Sequence, residues 1–441
     1  MHNFNRSVKI STLTFGILTA LACSQAMASG FQIRENSIQA ISRAFAGSAS
    51  DTGDAAVVNN NPAAMTLFTE TTFQTDVTVI DVSAKFTGGG HDALGRPLHG
   101  GNGGDAGGAT PIPALHMIVP MGNFAFGAAV TAPFGLKTEY DPGWVGRYQA
   151  LKSDLKTYDL TLAGAYKFND MFSIGAGLIV QRADAELSKA IDFGAILTPA
   201  AFPAFQPQSA DGLAKIKGND TSLGWEAGLL FRPASSTNIG LNYRSKINHT
   251  ISGKADFTVP ANVQAVFTAF HSPFFQDQAA SARLATPSVI TFSITQKFGD
   301  NFSLSGNIER TQWSSLQELR VNFAGPDADS VEQFHWRNTM LFSIGGDFKL
   351  GDNLTLRAGY AHDQSPTNNT FRTPRLPDGD RNIFSVGLGW NPTKNASWNI
   401  GFSHIAISKP TVNNATQTGS TLVGSFDAKV NLFGVSGTFT F

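Results

Sequence analysis

The segment Tyr158-Asp159-Leu160-Thr161-Leu162-Ala163-Gly164-Ala165-Tyr166-Lys167-Phe168 decides the fold. On an extended chain Tyr158, Leu160, Leu162, Gly164, Tyr166 and Phe168 point one way, and Asp159, Thr161, Ala163, Ala165 and Lys167 the other. Side chains of a strand alternate between its two faces, so one face here is greasy and one polar. The same division separates Leu354, Leu356, Ala358 and Tyr360 from Thr355, Arg357 and Gly359, and Phe302, Leu304 and Ile308 from Ser303, Ser305 and Asn307. It recurs from about residue 71 to the C-terminus. Such a strand fits a soluble sandwich, whose apolar face meets another sheet, or a membrane barrel, whose apolar face meets lipid.

Composition separates the two. Of 441 residues only 15% are charged, the net charge is -1, 44 residues are Gly, and aromatics reach 11% with 35 Phe. A soluble chain carries about 25% charged residues, so much of this surface is expected to face something other than water. Beyond the N-terminus no stretch approaches the ~20 consecutive apolar residues of a transmembrane helix. A closed barrel is the other structure that satisfies its own backbone inside a bilayer. Short turns at Phe168-Asn169-Asp170, Gly299-Asp300-Asn301, Gly351-Asp352-Asn353 and Asn391-Pro392-Thr393-Lys394-Asn395 alternate with long loops, as periplasmic turns alternate with extracellular loops. The chain ends on Phe433, Val435, Gly437, Phe439 and Phe441 in alternation, a pattern that resembles the assembly signal of bacterial outer-membrane barrels. Division at the turns gives about 14 strands, so the expected fold is all-β, a 14-stranded antiparallel transmembrane β-barrel.

Arg6 and Lys9 precede an apolar run from Ile10 to Ala22, and Ala26-Met27-Ala28 supplies small-x-small cleavage, which reads as a signal peptide over residues 1–28. Leu21-Ala22-Cys23 leaves open a lipidated start. Cys23 is the one cysteine, so the processed chain is expected to lack disulfides and thiol metal sites. Residues 29–70 are rich in Ala, Ser, Asn and Asp and too polar to face lipid. They read as a plug, or hatch, inside a barrel of residues 71–441, or alternatively as a disordered periplasmic tail. Near neutrality leaves no electrostatic footprint for nucleic acid. No G-x-S-x-G or H-E-x-x-H occurs, and Ser403 beside His404 reads as barrel wall, so no enzyme, metal or cofactor is expected.

Gly30-Phe31-Gln32, Asn61-Pro62-Ala63, Tyr243-Arg244-Ser245, Trp313-Ser314, Asp363-Gln364-Ser365-Pro366, Pro377-Asp378-Gly379-Asp380-Arg381 and Phe441 together resemble the FadL family of outer-membrane long-chain fatty acid transporters. The resemblance covers the whole processed chain. It implies a 14-stranded barrel occluded by an N-terminal hatch and passive movement of hydrophobic ligands, with aromatic hydrocarbons as an alternative cargo. A surface adhesin or phage receptor is the reading of another class. Expected partners are long-chain fatty acids or other hydrophobic small molecules, outer-membrane lipid and lipopolysaccharide, and the barrel-assembly machinery, with the chain a monomer.

Two loops carry apolar residues that solvent-facing loops usually lack. One holds Phe193, Ile196, Phe202 and Phe205, the other Val266, Phe267, Phe270, Phe274 and Phe275. They read as a lid packed on itself or, as the resemblance implies, a capture groove. The resemblance further implies a basic ligand residue at Arg182, although counting in twos puts Arg182 on the lipid side unless a bulge intervenes. The family's second basic residue falls near Glu332, with Arg337 as a nearby substitute. In Val130-Thr131-Ala132-Pro133-Phe134-Gly135-Leu136, Pro133 cannot donate to a ladder and Gly135 permits a bend. That reads as a strand end or, by the resemblance, as a lateral opening facing hatch residues Asn61, Pro62 and Ala63.

Overall fold

The computed structural model describes residues 30–51, 53–198, 202 and 204–441; the export segment with Arg6, Lys9, Cys23 and the cleavage pattern lies outside them. Fourteen antiparallel spans follow in chain order: β1 Thr72–His91, β2 Gly108–Met121, β3 Phe124–Thr131 continued as Gly135–Glu139, β4 Lys152–Lys167, β5 Phe172–Asp192, β6 Asp211–Ala234 and β7 Thr237–Arg244 continued as Ile247–Thr258. After them come β8 Gln278–Thr286 continued as Val289–Phe298, β9 Phe302–Thr311 continued as Glu318–Phe323, β10 Ser330–Gln333 continued as Thr339–Leu350, β11 Leu354–Asp363, β12 Arg381–Thr393, β13 Ala396–Ile407 continued as Thr411–Ala415, and β14 Thr421–Thr440. Each span pairs with its chain neighbours, and β14 pairs with β1 from Thr72↔Thr440 to His91↔Thr421, which closes the barrel.

The alternation sets the two surfaces. On β4, Leu160 and Leu162 are exposed while Thr157, Asp159 and Thr161 are buried. Aromatic pairs ring the outer face at two heights. Phe124 with Tyr166, Phe298 with Phe302 and Trp398 with Phe439 lie near the short turns, and Trp225 with Tyr243 and Tyr360 with Phe384 lie toward the long loops. Such girdles mark the two interfaces of a barrel's lipid-facing band. All the short turns fall at one end; at two of them Gly299 and Gly351 take φ of 64° and 70°, which a side chain resists.

Residues 30–68 fold inside the barrel. Ser37 caps helix α1, Ile38–Ser42, by accepting from the Ala40 N–H, and α2, Val57–Asn60, leads into a 3-10 turn at Pro62–Leu67 capped by Asn61. Wall glycines let this segment approach. A Cβ on Gly240 would stand 1.8 Å from the Ala49 carbonyl oxygen, and one on Gly359 2.2 Å from the Arg43 carbonyl. Charge then locks it: Arg34 pairs with Glu309 at 2.8 Å and Asp363 at 3.0 Å, Arg43 pairs with Asp51 and with Asp347 at 3.1 Å, and the Ile38 N–H donates to Asp76 at 2.9 Å. Removing one member of such a buried pair costs about 3–5 kcal/mol, so the segment is seated by interactions that tolerate little change. Ser403 and His404 occupy opposite faces of β13, bonded to Ser385 and Asn431 respectively, and form no catalytic pair.

Candidate ligand site

Toward the long loops the inward face turns apolar. Leu155 of β4, Leu187 of β5, Ile216 of β6, Ile251 of β7, Leu284 of β8 and Val321 of β9 wall an apolar cavity of about 110 Å³ that opens toward the loops. Its floor is a packed aromatic group in which Phe31 meets Trp313 at 4.7 Å, Trp336 at 5.7 Å and Phe134 at 6.0 Å between ring centroids. Below the floor a second, polar cavity of about 80 Å³ lies between Arg34, Asn36, Pro133 and Glu309.

The loop between β11 and β12 forms the roof and supplies two cations. Arg375 donates from Nε to Glu332 at 2.7 Å, and from Nη1 to Ser153 Oγ and to the carbonyls of Lys152 and Ser188. Arg372 bonds the Asp378 and Thr411 carbonyls, Thr367 and Asn369, all neutral acceptors. Among the described residues no carboxylate pairs with Arg372, and burial holds its guanidinium below the usual value against the pull of Asp378 and Asp380. Lys189 stands beside this group and donates to Ser330 at 3.2 Å. Phe371 and Thr373 line both the cavity and an outer vestibule that reaches Lys189 and Glu332. Three cations therefore gather at the mouth of an apolar chamber, and among the described residues Arg375 is the one of them in an ion pair, with Glu332.

Several residues singled out in the sequence lie elsewhere. Arg182 is on the outer face, bonded to Asp184 at 2.8 Å, and the register of β5 with β4 and β6 runs through it without a bulge. The head-group role expected of it is withdrawn, because a continuous ladder keeps even-numbered β5 residues outward. Arg337 is largely exposed, 3.8 Å from Asp380, and does not line the cavity; Glu332 pairs with Arg375 instead. The two apolar loops pack on each other. Phe193 and Phe205 are buried, Phe193 meets Phe267 and Phe275, and Phe202 meets Phe270, with Ile196 and Val266 against the same cluster. Only Phe270 and Phe274 of the set remain exposed, at 69% and 45%.

The wall is interrupted at β3. β2 pairs with β3 from Met121↔Phe124 to Leu115↔Val130, whereas its upper half, Gly108 to Ala114, pairs with β1 alone. Pro111 and Pro113 stand in that unpaired stretch and have no N–H to leave stranded. Across the break the Pro133 carbonyl accepts from Ile33 N–H at 2.7 Å and Gly135 N–H donates to the Phe31 carbonyl at 2.8 Å, while Phe134 turns to Thr157 of β4. The segment bonded to the break is thus Phe31–Ile33. Asn61, Pro62 and Ala63, expected there, pack instead against Gly175 of β5 and Gly228 of β6, where Asn61 donates to the Leu229 carbonyl.

The roof cations and the apolar upper walls escaped the sequence reading. Phe371-Arg372-Thr373-Pro374-Arg375-Leu376, with two cations among apolar residues in one loop, was the available signal.

Comparison with known proteins agrees with this architecture. The family model described as outer membrane protein transport protein (OMPP1/FadL/TodX) matches residues 19–441. A long-chain fatty acid transport protein of Salmonella typhi is 28% identical over 403 residues, spanning 88% of this chain and 90% of that protein. The crystal structure of a Pseudomonas aeruginosa FadL homologue superposes with a TM-score of 0.87 at 28% identity, covering 93% of this chain and all of that one. The toluene transporter TbuX of Ralstonia pickettii shares the fold alone, with a TM-score of 0.66 at 19% identity over 92% of this chain and 99% of that one. A closed barrel with an apolar band, a filled lumen and a family match across nearly its whole length places the chain in the outer membrane, as a member of the OMPP1/FadL/TodX family of outer membrane transport proteins.

Proposed function

We propose that this protein moves long-chain fatty acids inward across the outer membrane by diffusion. The ligand rests in the upper cavity with its carboxylate at the roof cations and leaves sideways through the break in β3. The observation that carries this reading is the apolar chamber whose mouth holds Lys189, Arg372 and Arg375, of which Arg375 alone is paired, with Glu332, among the described residues. An alkyl chain gains about 0.8 kcal/mol per CH₂ buried, which the chamber walls supply. A carboxylate there would be drawn to Arg372 and to Nη2 of Arg375, which none of the bonds given above uses. Residues 30–70 act as the hatch, and the chemistry is binding and release with no covalent step. Phe270 and Phe274, exposed on the clustered loops, offer a first contact for a greasy ligand.

The aromatic floor suits a second cargo, neutral hydrocarbons such as toluene, and one experiment separates the two. Oleate binding to the detergent-solubilised barrel is measured with toluene as competitor, using Arg372→Ala and Arg182→Ala variants. Loss of a hydrogen-bonded ionic contact should weaken oleate about tenfold or more in Arg372→Ala, and Arg182→Ala should bind like the parent. Equal binding by all three with displacement by toluene would make the chamber a hydrocarbon carrier. Absence of saturable binding by either ligand would overturn transport and favour a surface receptor.

A further inference from the structure

The wall is broken at a second place, between β8 and β9. Their ladder runs from Phe298↔Phe302 to Val289↔Thr311 and resumes only at Ala282↔Val321 through Ala280↔Phe323. Between these stretches β8 passes Arg283 to Ser288, with Pro287 at its centre, while β9 turns through a 3-10 segment at Trp313–Ser315 and carries nine residues to β8's six. Trp313 and Leu316 turn inward there, at 0% and 4% exposure. In a barrel wall every unpaired rung has to be covered by something other than hydrocarbon.

The position of this break sets it apart from the one in β3. Phe292, Ile294 and Ile308 expose apolar surface just below it, and beside and above it Arg283 and Arg320 are exposed and Glu318 half-buried. It therefore opens where the lipid-facing band gives way to head groups. A crevice cuts into the wall at that point, lined by Asn248, Thr250, Arg283, Gln317 and, at its base, Leu284 and Leu316. Those same two leucines line the apolar lumenal cavity. Leu284 and Leu316 thus stand between the outer crevice and the chamber. Arg320 is neutralised by Glu318 and Asp329, but Arg283 has no ion pair among the described residues.

We propose that the β8–β9 break is a port through which a single-chain anionic amphiphile already dissolved in the outer leaflet enters the cavity, its head group held at Arg283 while its tail passes between Leu284 and Leu316. A cation at head-group height fixes the charge of the ligand, and a partition of two apolar side chains admits one extended chain but no bulky ring system. The proposal rests on the ligand-carrying reading above and adds a membrane-side entrance to it. It also gives the two breaks different tasks, because the one in β3 is bridged by backbone bonds from the N-terminal segment, whereas Leu284, Leu316 and the inward Trp313 fill this one with side chains.

The test uses the full chain in phosphatidylcholine vesicles, with oleate supplied either from water on albumin or preloaded in the outer leaflet. Leu284→Cys and Leu316→Cys are introduced together and joined by a bifunctional maleimide, and the unjoined double variant shows that the barrel folds. Joining should slow transfer from the leaflet about tenfold, the size of change that a lost low-barrier route gives. Binding from water is read on the same two proteins, and a loss of leaflet transfer larger than any loss of binding marks the port. Arg283→Ala, which leaves the partition intact, should slow transfer of oleate but leave that of its methyl ester unchanged. Equal leaflet transfer by joined and unjoined protein would overturn the port while leaving the cavity as a binding site. Failure of the parent to bind oleate from water would instead overturn the reading beneath it.

Discussion

The two halves of the lumen are walled by the same strands yet differ in chemistry. In the lower half β7 turns Asn238, Asn242 and Arg244 inward and β8 turns Thr291, Ser293 and Thr295 inward; in the upper half they present Ile247 and Ile251, and Ala280, Ala282 and Leu284. What fills each half accounts for the difference. The lower half receives a polypeptide whose backbone needs partners, and finds them in Ser293 for Ala49 N–H and Asn238 for the Ser50 carbonyl, while Thr295 bonds the Ser50 hydroxyl. The upper half receives no polypeptide, and walls with nothing polar to satisfy can be aliphatic. A barrel's inner face is thus matched to its filling and not simply to water, and an apolar inner face is itself a statement about cargo.

The sharpest way to break this comparison is to unseat the filling. Arg34→Ala leaves Glu309 and Asp363 buried without their cation and should loosen the N-terminal segment by about 3–5 kcal/mol. Ion conductance of the barrel in planar bilayers should then rise, together with hydrogen exchange of residues 30–60. Conductance at the parent level would mean that the polar bonds do not hold the filling. A smaller effect is expected at the contact itself. Gly240→Ala drives a methyl into the Ala49 carbonyl and should destabilise by about 1–3 kcal/mol in denaturant unfolding. Gly306→Ala, whose nearest new neighbour is 3.7 Å away, serves as control and should stay within about 0.5 kcal/mol. The upper half is probed by Ile251→Asn, which places an unpartnered amide in the chamber. It should weaken oleate binding by about 1–3 kcal/mol and leave conductance unchanged, so a rise in conductance would show that the two halves are not independent.

Much of the barrel was legible because period-two alternation survives wherever the ladder is continuous. On β5 the parity that places Ile179 and Gln181 inward continues through Ala183 to Leu187, so counting in twos correctly sets Arg182 outward and would have found one wall of the chamber. On β7 and β8 the count fails. Inward residues are even up to Arg244 and odd from Ile247, and odd down to Val289 but even from Thr286, because the chain slips by one at Ser245-Lys246 and at Pro287-Ser288. A slip of one residue exchanges the faces, so counting in twos from Arg244 or from Val289 sets Ile251 and Leu284 on the lipid side, opposite to where they stand. The roof was hidden for another reason. Arg372 and Arg375 owe their place to hydrogen bonds with residues as distant as Thr411 and Ser188, and no local pattern encodes such a loop. The β3 break was visible as Pro133, whereas its partner segment was not, since nothing in Phe31-Gln32-Ile33 announces two rungs of sheet.

Those two rungs have a mechanical corollary. The Ile33-to-Pro133 and Gly135-to-Phe31 bonds patch the wall, and they also hold Phe31 in the aromatic group beneath the chamber. Each is worth about 0.5–1.5 kcal/mol net, small enough for thermal motion to undo. On the route proposed above, floor and wall therefore share one latch, because a displacement of Phe31–Ile33 would unbar both together. A valve so built would couple departure from the chamber to the opening of the wall.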